Sequence, residues 1–109
     1  MPMEAEVHKV GEELNSATSK AEQQAILNIL DQNMSVILDL SGCKYVSSAG
    51  LRVMLYSYKV AAAAGLSVWL AGVSKEVREV MAITGFEHFF RFFDTVEECQ
   101  KAAAETDGQ

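Results

Sequence analysis

The chain has 109 residues, half of them apolar, enough for one α/β-sized domain spanning 1–109 with a modest buried core. Its formal net charge is -6, from nine Lys and Arg against fifteen Asp and Glu. Phosphate backbones and anionic bilayers are held by clustered cations, so direct nucleic-acid binding and membrane insertion are both expected to be absent.

Cys43 and Cys99 form no CxxC pair and are too few for a disulfide framework. The opening MPMEAEVHKV lacks a basic stretch followed by an apolar one, and no apolar run approaches the roughly 18 residues of a membrane span. A cytoplasmic location is expected.

The first segment, Glu6 to Leu14, is weakly patterned, with room for one short strand around Val7 and Val10. Ser19-Lys20-Ala21-Glu22 fits a capping box. Ala21, Ala25, Ile26, Ile29 and Leu30 then recur at helical spacing, predicting an amphipathic helix that ends near Gln32-Asn33. Val36-Ile37-Leu38-Asp39-Leu40 is a nearly continuous apolar run of strand length, as suits a parallel strand covered on both faces. Ser41-Gly42 breaks it, and a loop through Cys43–Ser47 leads to a second helix from Ser48. On that helix Leu51, Met54, Leu55, Tyr58 and Ala62 form the expected inward stripe, and Gly65 is placed to stop it.

Leu66 to Ala71 reads as the next strand, closed by Gly72. A third helix is expected from Ser74, burying Val77, Val80 and Met81 and stopping at Gly85. Phe89 to Phe93 reads as a last strand, within a segment that holds all five phenylalanines. Thr95-Val96-Glu97-Glu98 is a second capping box, opening a helix with Val96, Cys99 and Ala103 inward. Thr106 to Gln109 is expected to fray. Strands alternating with helices imply parallel pairing and right-handed crossovers, hence an α/β fold with about four helices. Functional groups in such folds gather where strand carboxyl ends meet helix amino ends, and the 41–48 loop is such a place.

Catalytic signals are scarce. His8 and His88 lack a partner at metal or dyad spacing, and no GxGxxG, Walker-type or GxSxG motif occurs. No cofactor and no metal are expected. Asp39, without an acidic pair beside it for Mg²⁺, is expected to bond loop amides at its strand end. What stands out is Ser47-Ser48-Ala49-Gly50-Leu51. A serine there is ordinarily a helix cap. Gly50 costs roughly 0.5–1 kcal/mol against Ala inside a helix, which suggests that something approaches the backbone closely. A helix amino end also tolerates a phosphate, so a phosphoserine at Ser48 is compatible with the fold.

The run from Asp39 through Ser47-Ser48-Ala49-Gly50-Leu51-Arg52 to Leu55 resembles the signature of STAS domains, the family of bacterial anti-sigma factor antagonists. The similarity continues through Gly65–Gly72, Val77–Gly85 and Asp94–Glu98, and covers roughly residues 12–103. The resemblance implies a single domain with a mixed, largely parallel sheet, and a non-enzymatic bacterial switch acting in transcription regulation. It implies that the unphosphorylated protein binds an anti-sigma factor that is also a serine kinase. Phosphorylation at Ser48, with Ser47 the second candidate, would release it, and a PP2C-type phosphatase would restore binding. Tyr45, Ser47, Ser48, Ala49, Gly50, Leu51 and Arg52 are the implied partner-binding residues; Arg52, one turn on, is placed either to pair partly with the phosphate or to stand as an ordinary exposed helix residue. The alternative reading within the family is an unphosphorylated adaptor subunit, for example of an ABC transporter. Two features depart from the family pattern. Ser47 stands where well-studied regulatory members carry aspartate, and the first strand of the usual leading hairpin is expected to be missing. An open sheet edge would follow, and with it a route to a homodimer.

Overall fold

A computed structural model describes residues 4–105. Chain order is β1 (Ala5–Lys9), β2 (Glu13–Leu14), α1 (Ser19–Asp31), β3 (Ser35–Asp39), β4 (Tyr45–Val46), α2 (Ser48–Ala63), β5 (Val68–Ala71), α3 (Lys75–Thr84), a 3-10 turn (Phe86–Phe89), β6 (Arg91–Phe93) and α4 (Val96–Glu105). The main sheet runs β1-β3-β5-β6, and β2 with β4 makes a separate two-stranded ladder. Every one of these pairings is parallel. The antiparallel component that a leading hairpin would add is not found among the described residues. The tail from Thr106 lies outside them.

Strands β3 and β5 are central, and Val36, Ile37, Leu38 and Leu70 are wholly buried. Their unbroken apolar sequence follows from being covered on both faces. On one face Val36, Leu38 and Leu70 pack with Ile26, Ile29 and Leu30 of α1, Leu51 and Met54 of α2, and Val77 and Met81 of α3. On the other face Ile37, Trp69 and Ala71 pack with Cys99 and Ala103 of α4.

Several local expectations are corrected. The segment before α1 holds two strands rather than one. The Ser19–Glu22 capping box does not form: the helix is started from Asn15, whose Oδ1 accepts from the N–H groups of Ala17 and Thr18 at 2.9 and 3.1 Å. Glu22 is engaged elsewhere, its carboxylate lying 3.3 Å from His8 Nε2 and 3.4 Å from the Gly11 N–H. The donors that the box would fill are already taken by backbone carbonyls, the Ser19 N–H by that of Asn15 at 2.8 Å and the Glu22 N–H by that of Thr18 at 3.1 Å, so the box has no vacancy to fill.

The buried side of α2 is also turned from the expected stripe. Val53, Ser57 and Ala61 are buried, whereas Ala62 is exposed and Leu55 and Tyr58 are only half-buried. Ser57 can sit inside because its hydroxyl donates to the Val53 carbonyl at 2.7 Å. Small residues there let α2 lie close against its neighbours. Val80, expected inside, is exposed at 38%.

The Phe89–Phe93 strand is shorter than expected. Phe86 to Phe89 coil into the 3-10 turn, directly after Gly85 ends α3 with a left-handed φ of 79°. The turn stacks Phe89 and Phe90 on Tyr58, with ring centroids 5.4 and 5.8 Å apart. Aromatic packing against α2 thus overrides the strand preference of the run.

Candidate functional site

The loop after β3 and the first turn of α2 form the site. Asp39 ends β3 with its Oδ1 accepting from the Ser41 N–H at 3.0 Å, as expected of a strand-end residue bonding a loop amide. Burial pushes its carboxyl up, but the hydrogen bonds from Ser41 and the nearby Lys9 ammonium outweigh this and hold it below its ordinary value. Lys44 donates its N–H to the Glu12 carbonyl, and Ser47 to that of Leu14. The loop between β3 and α2 is thereby tied to β2 on both sides of β4.

Ser47, rather than Ser48, caps the helix. It has extended backbone (φ -86°, ψ 176°), and its Oγ accepts from the Gly50 N–H at 3.3 Å. Ser48 is the first helical residue, is exposed, and its hydroxyl makes no hydrogen bond among the described residues. One serine is committed to holding the helix end, and the other is left available. No acidic residue lies in the first turn of α2, so the positive end of its dipole is uncompensated.

The other expected site residues divide between surface and core. Tyr45 is 53% exposed, Arg52 is exposed one turn beyond Ser48, and Ala49 is half-buried. Gly50 and Leu51 are buried and offer no surface. The close approach inferred at Gly50 is real but internal. A Cβ added there would run into the Leu14 carbonyl oxygen and lie 2.8 Å from the Leu14 Cγ. Gly50 therefore exists to admit β2, and its sequence signal points to packing instead of a ligand.

Sequence reasoning missed Tyr56, which is 49% exposed. Ser48, Arg52, Tyr56 and Lys59 are all exposed on α2, at i, i+4, i+8 and i+11, and so share one outward face. The signal was available as the complement of the buried stripe. Helix α3 packs against β4 and carries two more exposed aliphatics, Val80 at 38% and Ile83 at 86%. The area around the α2 tip is thus an exposed hydroxyl with apolar and cationic groups along the same helix.

The two histidines lie apart from this site. His8 is held by Glu22 beneath α1, and His88 is exposed in the 3-10 turn. Cys43 and Cys99 are buried, and burial raises both thiols, that of Cys99 to about 11. Among the described residues no three His, Cys, Asp or Glu side chains are grouped to hold a metal ion. No helix among them is long and apolar enough to cross a membrane.

A family model, the STAS domain, matches residues 6–99. Among solved structures, a candidate anti-sigma factor antagonist of Thermotoga maritima is similar with a TM-score of 0.83 and 20% identity, over 91% of this chain and 86% of that one. A sulfate transporter family protein of Wolinella succinogenes gives 0.80 and 17%, over 94% and 88%. An anti-sigma factor antagonist of Mycobacterium paratuberculosis gives 0.78 and 21%, over 91% and 85%. At these identities the likeness is one of fold.

Proposed function

This chain belongs to the STAS domain family, and we propose that it works as an anti-sigma factor antagonist, a non-enzymatic binding module switched by phosphorylation at Ser48. The observation that carries this reading is the division of labour between two adjacent serines. Ser47 accepts the capping hydrogen bond, while the exposed Ser48, at the first helical position, has no side-chain hydrogen bond among the described residues.

A phosphate on Ser48 would stand at a helix amino end, where the dipole favours an anion, and would add about -1.5 to -2 charge. The domain would stay folded. A partner seated over Tyr45, Ser48, Arg52 and Tyr56 would face a new dianion in a close interface, and burying an unpaired charge there costs several kcal/mol. Arg52 lies one turn away to take part of that charge. The partner in this reading is an anti-sigma factor with serine kinase activity, and a PP2C-type phosphatase reverses the modification. Such a protein would act in the bacterial cytoplasm.

Incubation with a cognate anti-sigma kinase and ATP, followed by peptide mass spectrometry, tests the site. Phosphate on Ser48 is expected. Phosphate confined to Ser47 or to a residue outside the 41–52 segment contradicts the assignment, because Ser47 is already spent on the cap.

A second reading keeps the fold and drops the switch. Ser47 replaces an acidic residue with a hydroxyl, and one structural neighbour is a sulfate transporter family protein. Both features favour a constitutive adaptor subunit, of an ABC transporter or another regulatory complex, in which Ser48 is only a contact. Such a partner would bind Ser48→Asp and Ser48→Ala variants about equally well.

A further inference from the structure

Among the described residues the main sheet ends on one side at β1, and its ladder fixes which backbone groups face outward. Ser35 donates to the Glu4 carbonyl and Val10 donates to the Asp39 carbonyl, so the even-numbered residues of this segment bond to β3. Successive residues in a strand direct their N–H and C=O groups to opposite sides. Ala5, Val7 and Lys9 therefore turn both groups toward the open edge. The far edge is smaller: Gly72 donates to the Phe93 carbonyl, which leaves only Phe92 of β6 facing outward.

We propose that β1 pairs with β1 of a second copy of this chain, antiparallel, about a two-fold axis through Val7 and perpendicular to the sheet. Free groups meet only in registers that set odd residues against odd ones. Centred on Val7, Ala5 faces Lys9, Val7 faces Val7 and Lys9 faces Ala5. Each such pair exchanges two hydrogen bonds, so all three outward residues of each β1 are satisfied. Moving the register by two residues either way leaves one of them unpaired.

The side chains choose the same register. Between the bonded pairs, Glu6 of each copy faces His8 of the other, in the positions where facing side chains come closest. His8 already lies 3.3 Å from Glu22 on the α1 face, so in the dimer each imidazole sits between carboxylates of both copies. The neighbouring registers instead set Glu6 against Glu6 or His8 against His8. Two carboxylates or two imidazoles then face each other, and the Val7-centred arrangement is the one that sets a carboxylate against an imidazole. The axis keeps α1 beside α1 and α4 beside α4, giving one continuous sheet. Ala5 and Val7, half-buried against the cluster under α4, would be covered further. The association is independent of any event at Ser48.

The full chain is tested by sedimentation over a wide concentration range. Wild type is expected to shift reversibly to a dimer as concentration rises. Val7→Pro removes an N–H that faces the edge and leaves the β3 ladder intact, so it is expected to remain monomeric with an unchanged circular dichroism spectrum. Val7→Cys supplies a readout that needs no proline. Facing Cα atoms on the axis are about 5.5 Å apart, within disulfide range, and the native thiols are buried. Lys9→Cys is the control, since its two copies would stand about 14 Å apart. Val7→Cys is expected to cross-link under mild oxidation at least tenfold faster than Lys9→Cys. A wild type that stays monomeric at every concentration overturns the proposal. So do equal cross-linking rates for the two cysteine variants, or a folded Val7→Pro that dimerises as wild type does.

Discussion

The first turn of α2 has two sides that obey different constraints. Toward the core, Gly50 meets the Leu14 backbone so closely that no side-chain carbon fits. Toward solvent, Ser48 is exposed with no side-chain hydrogen bond among the described residues, and Arg52 and Tyr56 continue the same open face. A change on the inner side must therefore be absorbed by the fold. A change on the outer side is felt only by whatever docks there. In the proposed reading, this separation would let a surface modification act as a signal without unfolding the domain.

The largest expected effect on stability comes from breaking the inner side. Gly50→Ala places a methyl against the Leu14 carbonyl, which is fixed by the Ser47 N–H at 2.9 Å. Overpacking of this kind costs about 1–3 kcal/mol or more, and the better helix propensity of Ala returns up to about 1. A net loss of about 2 kcal/mol is expected in urea unfolding with an unchanged m-value. A variant as stable as wild type would mean that β2 can retreat, and the two sides would no longer differ in kind.

Next comes the boundary between the two sides. Ser47→Ala removes the oxygen that accepts from Gly50 and is expected to cost about 1 kcal/mol. Ser47→Asp keeps a capping oxygen and should restore that stability, while placing an acidic group beside Ser48. Comparing kinase rates on wild type and Ser47→Asp then shows whether that charge matters for recognition.

The smallest effect sharpens the contrast from the strand end behind the loop. The Asp39 carboxyl is held below its ordinary value of 3.8 when folded, so the unfolded chain binds the proton more tightly. Its contribution is complete above that value and is lost as pH falls through the lower, folded one. The stability difference between wild type and Asp39→Asn should therefore be present at neutral pH and shrink in acid. A difference that grows in acid would contradict the assigned hydrogen bonds.

Much of this organisation is legible in the residues, for identifiable reasons. Strands β3 and β5 announce themselves because full burial demands uninterrupted apolar side chains. Helices α1, α3 and α4 follow from spacing, and Ser74 and Thr95 cap as the pattern implies, accepting from the N–H groups of Val77 and Glu98. What escapes reading depends on contacts distant in sequence. The β2–β4 ladder has two residues per strand, too few to leave a pattern. Gly50 is intelligible only beside Leu14, thirty-six positions earlier, and Ser57 hides in the core because its hydroxyl turns back to its own helix. At the site, the pair of serines before a helix is visible in the sequence, but the assignment of cap and exposed hydroxyl is not. Both residues are serines and either could cap, so only backbone geometry decides which one does.

The measurement that bears most directly on the central claim takes Ser48→Asp through unfolding and partner binding in parallel. An aspartate at the first helical position meets the uncompensated dipole, so its stability is expected to equal or exceed wild type by a few tenths of a kcal/mol. Its affinity for the anti-sigma kinase is expected to fall by about a hundredfold or more, with Ser48→Ala binding like wild type. A Ser48→Asp protein that binds as tightly as wild type, or that loses binding only because it unfolds, would contradict the account.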